Sequence, residues 1–150
     1  MKVSKNIEHF NLVTLSLLTK LYESFPSPLN INSENINDFG FSIVPEDASG
    51  EESWEIGTMV NDVIIFLAEE GFLRYDKDPN CNEGNFWRTR LTLKGFTILG
   101  ALPQTLSTAK EKSLFERAQE SLNSVTGTAG AEAGKQVVAE IFKLALVGAS

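Results

Sequence analysis

Five of the chain's 13 lysines and arginines (Arg74, Lys77, Arg88, Arg90 and Lys94) fall between residues 74 and 94. Guanidinium and ammonium groups donate to phosphate or carboxylate oxygens, and Phe86 and Trp87 place flat apolar surface beside them. In extended chain, Arg88, Arg90 and Thr92 alternate onto one face. Such a set suits a nucleic-acid backbone or an acidic protein surface. The plainer reading, a solvated strand face paired with Glu69, Glu70 and Asp76, is the one the sequence favours.

Other chemistries find less support. His9 is the single histidine and Cys81 the single cysteine. A zinc site needs more such ligands, and a nucleophilic triad would have to use His9, on the polar side of a helix. One cysteine makes no internal disulfide. Glu51/Glu52 and Glu69/Glu70 are adjacent pairs, so their side chains diverge instead of converging on a metal or substrate. Residues 127–135 approach Gly-x4-Gly-Lys-Ser/Thr but carry Ala129 at the first glycine and Gln136 at the hydroxyl. They read as a hinge or a close helix contact at Gly130 and Gly134. No catalytic constellation and no cofactor motif emerges, and the expectation is a non-enzymatic protein.

The elements that must position the cations follow from periodicity. Residues 7–25 read as a long helix with Phe10, Val13, Leu17, Leu21 and Phe25 in one stripe, widened by Leu18 and Tyr22. So much apolar surface predicts a central helix or one that meets another subunit. Leu29–Ile31 reads as a short strand, Glu34–Phe39 as a short helix and Phe41–Val44 as extended. Residues 45–53 are polar and acidic, an exposed loop. From Trp54, the residues Ile56, Met59, Val60, Val63, Ile64 and Leu67 recur every three or four positions, and Gly71 ends that helix. Phe72, Leu73 and Tyr75 read as extended, 76–85 as a loop, and Phe86–Leu93 as the returning strand. Gly95–Leu102, Thr108–Val125 and Lys135–Val147 read as helices, with a small-residue flexible segment over 126–134. Lys112 and Glu116 are spaced to pair on the second of these.

The run Glu69-Glu70-Gly71-Phe72-Leu73, then a loop, then Leu91-Thr92-Leu93-Lys94-Gly95 resembles the winged helix-turn-helix superfamily, in the style of MarR- and PadR-type regulators. The resemblance covers roughly residues 7 to 102. It implies a mainly α fold with a small β wing: a winged-helix domain over 1–102 and a C-terminal helical extension over 103–150. It also implies a homodimer through flanking helices, with Phe10, Leu17, Leu21, Val138, Ile141 and Phe142 as candidates. A regulator of this type binds DNA, with Thr58 and Asn61 in the major groove and Arg88, Arg90 and Lys94 on phosphates.

Charge points elsewhere. Residues 51–73 carry six acids and no lysine or arginine, residues 74–100 carry five cations against three acids, and the whole chain is −7. A helix lined with Glu55 and Asp62 repels phosphates. The sequence therefore favours a protein-binding or regulatory module, with a DNA-binding regulator as the alternative. No stretch approaches the roughly 18 apolar residues of a membrane span, and a cytoplasmic location is expected.

Overall fold

The computed structural model describes residues 5–32, 50–80, 84–100, 112–123 and 128–148, with the side chains of 5–6, 52–57, 123, 128–133 and 148 outside that description. The expected helix at Glu34–Phe39, the extended segment Phe41–Val44 and Cys81 lie outside the described residues. The described elements are α1 (Lys5–Ser24), β1 (Leu29–Asn32), α2 (Gly50–Glu69), β2 (Leu73–Lys77), β3 (Asn85–Leu91), α3 (Leu93–Leu99), α4 (Leu114–Asn123) and α5 (Thr128–Gly148). The chain is mainly helical with a small antiparallel sheet of order β1-β3-β2.

α1 is the central helix. Every residue from Val13 to Thr19 is buried, because α2, α4, α5 and β3 pack around it. A helix enclosed on all sides has no polar face to spare. Its Thr19 hydroxyl turns back to donate to the Leu15 carbonyl at 2.8 Å. At the far end of α1, Tyr22 stacks on Phe96 of α3 and Phe115 of α4, with ring centroids 5.1 and 4.2 Å apart. Phe25 stacks on the same Phe96 at 4.3 Å.

The C-terminal helices share this core. Leu114, Ala118 and Leu122 of α4 and Val137, Val138, Ile141 and Ala145 of α5 are buried in one cluster with α1. α4 begins at Leu114 because Ser113 and Glu116 form a reciprocal cap. The Ser113 hydroxyl accepts from the Glu116 amide, and a Glu116 carboxylate oxygen accepts from the Ser113 amide. Lys112 and Ser113 therefore stand outside the helix, and Lys112 pairs with Glu120 instead of Glu116. Arg117 holds Glu140 of α5 with two hydrogen bonds, 2.6 and 2.9 Å long. This raises the Arg117 pKa further and lowers that of Glu140, which Lys143 also lowers.

Two sequence expectations are corrected here. The loop over 45–53 gives way to helix at Gly50, where α2 starts. The segment from Thr128 to Gly134 is helical, not flexible. Gly134 explains part of this: a Cβ there would lie 2.9 Å from Ser121 Oγ and 3.2 Å from a Leu15 methyl. The glycine lets α5 close onto α4 and α1.

Candidate interaction surfaces

The turn between α2 and β2 is set by Gly71. Its φ of +85° suits glycine. The Phe72 amide donates to Leu67 O at 2.9 Å and the Gly71 amide to Ala68 O at 3.1 Å, the paired closure of a Schellman turn. The other end of the hairpin fastens onto this turn. The Thr92 amide donates to Phe72 O at 3.0 Å, and its hydroxyl donates to Gly71 O at 2.6 Å. The same hydroxyl accepts from the Gly95 amide at 3.0 Å, capping α3. Lys94 Nζ donates to the Glu70 carbonyl at 3.2 Å and lies 5.6 Å from the centre of the Phe72 ring. A Cβ on Gly95 would sit 2.2 Å from Phe72 O.

Those contacts reassign the motif. Thr92, Lys94 and Gly95 form a latch between α2 and α3, and Lys94 is occupied at the helix terminus. β3 ends at Leu91 because Thr92 becomes the cap.

The outer face of the hairpin holds the remaining cations. Leu73 pairs with Leu91 facing inward, and Arg74 pairs with Arg90 facing solvent. Like charges directly opposite oppose the pairing. Among the described residues no carboxylate lies within ion-pair distance of either arginine. Arg88 departs from the expected alternation: its φ is +52°, and the register shifts on both sides of β3. The Arg88 amide donates to Asn30 Oδ1 at 3.0 Å, and its guanidinium stands 3.9 Å from Asp76. Trp87 is exposed beside them. At the loop end of the hairpin, buried Asp78 accepts from the Asn80 amide and from the Asn85 side chain, each at 2.8 Å. Asn85 in turn accepts from Asn32 at 2.7 Å. Two adjacent guanidinium forks can take a phosphate or carboxylate between them.

The outer face of α2 is different chemistry. Thr58 is exposed as expected, with Asp62, Ile65 and Glu69 around it. Asn61 is only half-exposed, and its Oδ1 is buried without a hydrogen bond, so it does not stand out toward a groove. Phe66 is 38% exposed. It meets Phe10 of α1 at 5.8 Å and Phe142 of α5 at 6.1 Å, while Phe10 and Phe142 are 6.0 Å apart.

Of the six residues expected at a dimer contact, Leu17, Leu21, Val138 and Ile141 lie buried within the single chain. A second copy would reach them only by exchanging helices. Phe10 and Phe142 keep surface. Arg74 belongs to the cation set read from the sequence, whereas Phe66 was missing from the sequence-derived site. Residues 63–67 (VIIFL) did carry a signal, because five consecutive apolar residues cannot all lie on one helical stripe. Among the described residues no group of histidine, cysteine and acids could hold a metal, and no helix is long and apolar enough to cross a membrane. No protein-family model, curated protein or solved structure matches this chain.

Proposed function

We propose that this chain is a non-enzymatic interaction module of winged helix-turn-helix type that works by binding another protein. The sheet order β1-β3-β2, with α2 running straight into the hairpin, supports the fold reading. The observation that carries the functional reading is the outer face of α2. It presents Asp62, Glu69, Ile65 and Phe66 to solvent, with no lysine or arginine between residues 51 and 73. Acid and exposed apolar surface repel a phosphate backbone and suit a protein.

A second reading rests on a separate observation. The opposed Arg74 and Arg90, with Trp87 near, support contact with DNA through the hairpin alone. A salt titration against mixed duplex DNA, starting near about 50 mM, separates the two. The protein-binding reading expects no appreciable affinity. Binding that falls steeply with salt and drops in the Arg88→Ala/Arg90→Ala variant would establish DNA instead.

A further inference from the structure

We propose that the aromatic cluster shared by α1, α2 and α5 docks a cationic amphipathic helix of the protein partner, an inference that rests on the reading above. Phe10, Phe66 and Phe142 form a triangle of rings open on one side. Two of the three helices, α1 and α5, extend it by one turn. Ile7, three residues before Phe10, is 47% exposed, and Leu146, four after Phe142, is 77% exposed. Apolar side chains from three helices thus reach solvent together, which a monomer seldom leaves uncovered.

The rim identifies the occupant. Asp62, Glu69 and Glu70 stand four before, three after and four after Phe66, the helical positions that neighbour it, and all three are exposed. Of the cations near it among the described residues, Lys94 is held on the Glu70 carbonyl, and Lys143 is exposed on the α5 side, away from this α2 edge in sequence. An apolar centre with an acidic edge fits a helix whose apolar stripe is flanked by lysine or arginine. The patch consists of helix side chains, so it offers no free strand edge for an extended peptide. A second copy carries the same −7 charge and meets repulsion there.

The test uses the full chain and a synthetic helix of roughly 18 leucines and lysines in amphipathic order. Its scrambled isomer is the control, and binding is followed by calorimetry. The expected result is saturable one-to-one binding, weakened at least about tenfold by scrambling, by Leu146→Glu or Ile7→Glu, and by Asp62→Lys/Glu69→Lys. The first two changes are at exposed positions, and circular dichroism checks that all variants fold. Equal affinity for both peptides, indifference to these substitutions, or a dimer of the chain that Leu146→Glu dissolves would each overturn the proposal. If the peptide fails and DNA also fails to bind, the docking site falls alone. If the peptide fails while DNA binds through the arginines, the protein-binding reading falls with it.

Discussion

Arg90 and Thr92 stand two residues apart, and the hairpin uses them in opposite ways. The Thr92 amide and hydroxyl together fasten α3 to the turn that ends α2, with three hydrogen bonds at the side chain alone. Arg90 faces solvent opposite another arginine, with no carboxylate partner among the described residues. Position in a motif therefore says little about role. The Leu-Thr-x-Lys-Gly step, which looks like part of a binding wing, is framework. The surfaces proposed for recognition lie beside it, where residues work against the fold's own stability or leave apolar area uncovered.

Substitutions test that division. The largest effect belongs to the latch: Gly95→Ala drives a methyl into the Phe72 carbonyl and is expected to lower stability by about 3 kcal/mol in urea unfolding. Thr92→Ala removes the α3 cap and the tie to Gly71, for an expected loss of about 1–2 kcal/mol. A change under 0.5 kcal/mol for either would dissolve the distinction.

Away from the hairpin, Glu140→Gln breaks the α4–α5 pair. Both side chains are partly solvated, so about 0.5–1 kcal/mol is expected. The Glu140 carboxyl titrates below its ordinary 4.5 when folded, chiefly through the Arg117 hydrogen bond. Its contribution is thus complete above that value and lost as pH falls through the lower folded one. The wild type's advantage over the variant should shrink toward zero in that acid range, read from urea midpoints.

The smallest effect has the opposite sign. Arg90→Glu converts the cross-strand repulsion with Arg74 into attraction, and stability should rise by about 0.2–1 kcal/mol. A loss on thermal or urea melting would mean that Arg90 has a structural role after all.

Much of the fold was legible because the periodic signals are local. The stripes of α1, α2 and α5 and the Gly71 stop depend on residues within a turn of one another. The helix over 128–134 was not legible, since glycine lowers helix propensity and only contact with Ser121 and Leu15 gives Gly134 its purpose. The bulge at Arg88 was hidden for the same reason, as its amide is satisfied by Asn30, far away in sequence. Leu17 and Ile141 read as dimer candidates because an apolar stripe does not reveal which surface covers it. Asn61, read as outward, lies at the margin of α2's buried face, where one turn of neighbouring structure decides exposure.

The enclosure of α1 also shapes how the chain comes into being. This helix leaves a ribosome well before α5, one of the helices that cover it, which begins at Thr128. At about 5–20 residues per second, the gap of about 100 residues amounts to roughly 5–20 s. Through that interval Leu15, Leu17, Leu18 and Leu21 lack their final cover. A helix enclosed in the finished protein is thus, during synthesis, a segment open to chaperones and to aggregation.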